Sequence, residues 1–216
     1  MRINMLKMGT NIRKLILEGE GTTLDFKNTI TSCEKIAKTL VAYANNKGGR
    51  LLIGVADDGR IVGVKSEDEE KYMINKAAGF YCKPALEPTF EEVYIDDKIV
   101  LVVEIGESDL KPHYALSDDN KWWVYIRVKD KSVLASKIVV DVLKRESKDE
   151  GVLLEYSSKE KALLEYLDEH DRITAREFSD MLNLSRRRSY RILVNLVLSG
   201  VIRIHTTEKE EFYTAV

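Results

Sequence analysis

The charged run Lys144-Arg145-Glu146-Ser147-Lys148-Asp149-Glu150-Gly151 separates two stretches of different hydrophobic spacing, and this contrast limits the fold more than any other feature. Ahead of it, helical and strand-like spacings are mixed. Beyond it, the spacing is helical until a short closing hairpin. We therefore expect two domains, 1–150 and 151–216, in an α+β protein: a mixed α+β domain followed by a small helical one. A chain of 216 residues with 44% hydrophobic content can bury two modest cores.

In the first stretch, Thr31-Ser-Cys-Glu34 has the form of a capping box. Cys33, Ile36, Ala37, Leu40, Val41 and Ala44 follow at helical spacing until Gly48-Gly49 stops the pattern. An amphipathic helix is predicted there. Residues 50–55 then read as a strand, Asp57-Asp58-Gly59 as a tight turn and residues 61–64 as the returning strand. Two further hairpins are predicted: 90–95 with 99–105 around Asp96-Asp97, and 114–116 with 122–128 around residues 118–120. Trp122 and Trp123 are adjacent on a strand and so point to opposite faces; core packing is the expectation for both.

The second stretch opens with a helix over about 159–169 whose Ala162, Leu163, Tyr166 and Leu167 share a face. Thr174-Ala-Arg-Glu177 is a second capping box and starts a short helix ending near Leu182-Asn183. Ser185 is then the expected N-cap of a third helix reaching Gly200, followed by a terminal hairpin. Three helices and a hairpin are the layout of a winged helix-turn-helix. With about 100° per residue, Arg187, Arg188, Arg191 and Asn195 gather on one side of the third helix, and Leu193, Leu196 and Val197 on the other. Arginines in a helix's first turn, here Arg186-Arg187-Arg188, are opposed by the positive end of its dipole, an objection that nearby phosphate removes. Ser185, Arg186, Arg187, Arg188, Arg191 and Asn195 are therefore the candidate contacts to duplex DNA, since Arg can bridge guanine O6 and N7 and Asn can pair with adenine. A solvated or protein-docking face is the alternative. The hairpin tip Glu208-Lys209-Glu210-Glu211 is acidic on balance, so the helix has to carry the contact.

A net charge of −2 gives no global attraction to nucleic acid and requires a local basic patch. No apolar run approaches the length of a membrane span, so no membrane association is expected and the localisation is expected to be cytoplasmic. Cys33 and Cys82 fall in segments read as helical and lack metal-site spacing; they are expected to be buried reduced thiols. His113 has no accompanying nucleophile motif and is expected to be a packed residue at a strand end.

The order of motifs in the first stretch resembles the Schlafen-type AlbA-like family. It runs Glu20-Gly-Thr-Thr-Leu-Asp-Phe-Lys27, then Tyr43-Ala-Asn-Asn-Lys-Gly-Gly-Arg-Leu-Leu-Ile-Gly-Val55 and Asp57-Asp-Gly59, with Lys111-Pro-His-Tyr114 and Tyr125-Ile-Arg-Val128 as later strands. The resemblance covers roughly 13–143 and implies an α+β fold with a nucleic-acid-binding role. Bacterial members are often joined to a C-terminal helix-turn-helix, so the expectation is a DNA-binding transcriptional regulator, with a homodimer on a palindromic site as one arrangement. In the first domain the candidate nucleic-acid contacts are Lys27, Asn45, Asn46, Lys47, Gly48, Gly49 and Arg127; the glycine pair equally serves as a plain helix stop.

Some eukaryotic Schlafen relatives cut RNA with two glutamates and an aspartate that hold a divalent metal. Glu20 and Asp25 fall on two of the corresponding positions and Asp57 would have to serve as the third acid; together they define the alternative, a metal-dependent ribonuclease. Asp for Glu at 25 and Ala56 in the usual acidic turn depart from that pattern. Otherwise no cofactor or metal is expected, and no GxxxxGK[ST] phosphate loop is present.

Overall fold

The computed structural model describes residues 12–147 and 157–216. The chain is α+β and forms two compact units, one ending at Leu134 and the other beginning at Ala135. Among the described residues no helix is long and apolar enough to cross a membrane.

In the first unit, residues 12–18 form α1, followed by β1 (Leu24–Lys27), α2 (Cys33–Asn45), β2 (Gly49–Ile53), α3 (Glu67–Phe80) and β3 (Cys82–Lys83). Then come β4 (Thr89–Ile95), β5 (Lys98–Ile105), β6 (Tyr114–Leu116), β7 (Trp122–Val128) and β8 (Lys131–Leu134). One sheet has the order β1-β2-β5-β4, with β1 parallel to β2 and the other pairs antiparallel. The other sheet, β3-β6-β7-β8, is antiparallel throughout.

Helix α2 organises this unit. The sequence predicts an amphipathic helix, yet ten of its thirteen residues are buried, because it packs against β6, β7 and β8 and also against α3 and β5. A helix enclosed on most sides needs few polar positions. On β5, Leu101, Val103 and Ile105 join the core around α2. Val100 and Val102 join a second cluster with Leu24, Phe26, Leu52 and Ile12 of α1. Burial on both faces explains the near-continuous apolar run of that strand.

The structure corrects several expectations. The α2 cap is Ser32, one residue later than the Thr31 box implies; its side chain accepts from the Lys35 N–H. The predicted hairpin of 50–55 with 61–64 shrinks to a single bridge, Val55 with Ile61. Gly54, at φ +93°, ends β2, and its carbonyl accepts from the N–H groups of Val62 and Gly63, while β2 pairs with β1 and β5. Cys82 lies on strand β3 and not on a helix, although both cysteines are buried and free. Trp122 and Trp123 are 39% and 38% exposed, so neither is a core residue. The β4–β5 and β6–β7 hairpins form as predicted, the first through left-handed Asp96 and Asp97 (φ 48° and 60°).

The second unit contains α4 (Lys137–Glu146), α5 (Ser158–Glu169), α6 (Ala175–Met181), α7 (Arg186–Leu198), β9 (Ile202–Thr206) and β10 (Glu211–Ala215). Helix α4 places the divide ahead of the position 150 expected from the charged run, because Ile138 and Val142 are buried with Leu163, Phe178, Leu193 and Tyr213 in the core of this unit. The charged run begins as the last turn of α4, and its part over 148–151 lies outside the described residues. The Thr174–Glu177 capping box forms in both directions, as does one at Ser157 and Glu160. A bridge between Ile173 and Tyr213 ties the α5–α6 connection to β10.

Candidate nucleic-acid interface

Helix α7 follows a tight turn in which Asn183 is left-handed (φ 49°) and the Ser179 hydroxyl donates to the Leu184 carbonyl. Ser185 is the N-cap as predicted, but its side chain makes no capping bond. The first turn holds no acidic residue. Burial of Ile192, Leu193, Val194 and Leu196 fixes the rotation of the helix and leaves Arg186, Arg187, Arg188 and Arg191 exposed. Ser189, fully buried, donates its hydroxyl to the Arg186 carbonyl.

Packing of α4 on α7 adds residues that the sequence reading left out. Lys137, Asp141 and Arg145 recur every four residues and so form one stripe of α4. With Arg187, Arg188 and Arg191 they line a cleft of about 460 Å³, walled also by Ser185, Tyr190 and Val194. Five cations face one carboxylate. Among the described residues, the ion pairs of this unit, Lys161–Glu165, Arg172–Glu210 and Arg176–Asp180, involve neither α4 nor α7. Arg145 Nη1 donates to Asn195 Oδ1 at 2.9 Å, so the acceptor of Asn195 is engaged within the protein. The signal for α4 was present in the sequence: Ser136 as a cap ahead of Ile138, Val139, Val142 and Leu143, spaced as one helical stripe.

The candidates in the first unit are used differently. Asn45 is buried; its Nδ2 donates to the carbonyls of His113 and Tyr125, and its Oδ1 accepts from the His113 N–H at 2.7 Å. Asn46 exchanges two bonds with the backbone of Arg127, both at 3.3 Å. The two amides thus stitch α2 to the second sheet. Gly48, at φ +75°, and Gly49 are required by close packing: a Cβ would lie 2.6 Å from the Ile105 carbonyl oxygen at Gly48 and 2.4 Å from the Tyr43 ring at Gly49. Lys47 is exposed and Lys27 half-buried.

Arg127 is buried. Its Nη1 meets Asp25 Oδ2 at 3.1 Å, its Nη2 donates to the Gly21 carbonyl at 2.7 Å, and its guanidinium lies 5.1 Å from the centre of the Tyr43 ring. Asp25, also buried, accepts from Lys27 Nζ at 2.7 Å. Glu20 accepts from the Phe26 N–H at 2.8 Å, and its pKa is raised by desolvation first and then by hydrogen bonding to Asp25. Glu20 and Asp25 are therefore brought together, with two cations already bonded to Asp25. Asp57 is exposed in its turn, and among the described residues no three of His, Cys, Asp and Glu converge enough to hold a metal ion. Beside Glu20 runs a cleft of about 610 Å³ whose charged lining is Glu18, Glu20, Glu104 and Glu107 against Lys47 and Arg50. Its acidic balance disfavours phosphate.

His113 is buried, with Nε2 2.7 Å from the Ser108 hydroxyl and Nδ1 2.9 Å from the Pro84 carbonyl; burial lowers its pKa. It has the packed role predicted.

Two four-stranded sheets around a buried helix make the first unit a mixed α+β domain. The Schlafen, AlbA_2 family model matches residues 20–136, more than half of the chain, and the chain belongs to that family. Among solved structures, the N-terminal domain of a RecG-related protein from Nitrosomonas europaea is similar at 25% identity and a TM-score of 0.43, over 50% of this chain and 81% of that one. The DIP2311 protein of Corynebacterium diphtheriae is similar at 16% identity and a TM-score of 0.44, over 68% of this chain and 34% of that one. No curated protein matches the sequence.

Proposed function

We propose that the chain is a nucleic-acid-binding regulator that presents α7, as the recognition helix of a winged helix-turn-helix, to duplex DNA. The observation that carries this reading is the set of exposed arginines on α7, with no ion pair to a carboxylate among the described residues. Cations held near one another at a helix N-terminus repel each other and the dipole, and a polyanion relieves both penalties. The acidic tip of the terminal hairpin is partly neutralised by the Arg172–Glu210 pair, which leaves the helix as the cationic element. Family membership adds the expectation of nucleic-acid binding for the first unit, where the candidate residues are mostly committed to internal bonds.

Fluorescence anisotropy with a labelled duplex across a salt series tests the proposal. Without the correct operator, binding in the range of about 10⁻⁴ to 10⁻⁶ M is expected at physiological salt, weakening as salt rises. Arg187→Ala/Arg188→Ala/Arg191→Ala is expected to abolish most of it. Duplex binding that survives the triple substitution with its salt slope unchanged removes α7 as the interface.

A further inference from the structure

We infer that the cleft between α4 and α7 seats the phosphodiester backbone of the same duplex, with Lys137 and Arg145 as phosphate contacts and Asn195 as the residue that positions Arg145. The inference rests on the α7 reading and adds a second element to it. Burial of Ile138 and Val142 against α7's Ile192 and Leu193 holds α4 in place, and the four-residue spacing then carries Lys137, Asp141 and Arg145 along one wall of the cleft. Arg145 is exposed, and ordering a long exposed side chain normally costs free energy through lost rotamer entropy. Its bond to Asn195 Oδ1 supplies part of that ordering in advance and leaves most of the guanidinium's five donors free for phosphate oxygens. Asn195 is therefore assigned a positioning role and not the reading of adenine. The volume of about 460 Å³ exceeds what one phosphate fills and suits a run of backbone. Asp141 opposes any anion there, so it limits affinity.

The test is the same anisotropy assay with two duplexes of unrelated sequence, comparing the wild type with Arg187→Ala/Arg191→Ala, Lys137→Ala/Arg145→Ala, Asn195→Ala and Asp141→Asn. Each replaced side chain is exposed or half-buried, and circular dichroism checks that each variant is folded. Losing two phosphate contacts is expected to flatten the slope of log K against log salt by about 1.8, equally on both duplexes. Asn195→Ala is expected to weaken both duplexes alike and to add nothing in an Arg145→Ala background. Asp141→Asn is expected to strengthen binding several-fold at low salt. If the α7 pair weakens binding while the α4 pair leaves the slope untouched, this inference fails and the α7 reading stands; if neither pair matters, both fail. A uniform loss in Asn195→Ala that persists without Arg145 refutes the positioning role. Inorganic pyrophosphate binding that requires Lys137 and Arg145, while duplex binding does not, overturns the assignment in favour of a small free anion.

Discussion

Removing the Asp25 carboxylate isolates a buried cation, and the size of the effect follows from the geometry. The Arg127 side chain is 1% exposed and lies 3.1 Å from Asp25; at an effective dielectric constant of about 20, unit charges at that distance attract by about 5 kcal/mol. What remains for Arg127 in Asp25→Ala is the Gly21 carbonyl, the Ser132 hydroxyl at 3.4 Å and the face of Tyr43, and its Nε already has no partner. Breaking a buried pair from one side costs about 3–5 kcal/mol. Arg127→Met is expected to cost less, because Asp25 keeps Lys27 at 2.7 Å. Both tryptophans of the chain, Trp122 and Trp123, lie on β7, so tryptophan fluorescence during urea unfolding reports the first unit alone. With a urea dependence of about 2 kcal/mol per molar, the Asp25→Ala midpoint should fall by roughly 1.5–2.5 M. A fall below about 0.3 M, or a larger loss in Arg127→Met than in Asp25→Ala, refutes the view of Asp25 as the counter-ion of Arg127 and returns it to the pool of free carboxylates.

Three further outcomes are expected. Glu20 has a folded pKa above its ordinary 4.5, so its stabilising contribution is complete below that value and is lost as pH rises through the folded pKa. Glu20→Gln, which can still accept from Phe26, should therefore raise the urea midpoint at pH 7 with an advantage that fades by pH 4; an advantage that grows on acidification contradicts the sign. Glu70 is buried and accepts from the Ile30 N–H at 2.9 Å and from the Thr29 hydroxyl; Glu70→Ala strands those donors and should destabilise the first unit by about 1–3 kcal/mol in the same assay. Burial pushes the Cys82 thiol up to about 12 and raises that of Cys33, so labelling by a thiol-exchange reagent at pH 8 should be slow in the native protein and complete in urea, whereas rapid native labelling of both would show that they are not enclosed.

Elements set by local chemistry were legible in the sequence. Asp96-Asp97 fixes a tight hairpin, and the Thr174–Glu177 box and the turn around Asn183 frame α6 and α7 nearly to the residue. Helix α3 was not legible, because four of its first residues are acidic and one of its core positions is occupied by Glu70, whose burial depends on Thr29 and Ile30 some forty positions away. The α4 stripe was masked by the charged run that overlaps its last turn. In the site, the exposed arginine face of α7 followed from periodicity alone. For Asn45, Asn46 and Arg127, residue type announces hydrogen-bonding capacity without saying whether water, a ligand or another strand satisfies it. Here strand backbones and Asp25 do.

The distribution of charge reconciles a net charge of −2 with the proposed polyanion partner. A phosphate senses charges within about one Debye length, roughly 8–10 Å near physiological salt, far more than it senses the whole molecule. On that scale the two clefts are opposites: four carboxylates against two cations beside Glu20, and one carboxylate against five cations between α4 and α7. The motif residues of the first unit are spent in holding its sheets around α2, which needs their charges paired and their amides bonded. The cations lining the α4–α7 cleft have no ion pair to a carboxylate among the described residues, and the buried apolar stripes of those helices hold them in place. Cations that repel one another and the positive end of the α7 dipole are stabilised by a neighbouring polyanion, and this local balance, set against the acidic cleft of the first unit, is the physical ground for the proposed phosphate-backbone partner.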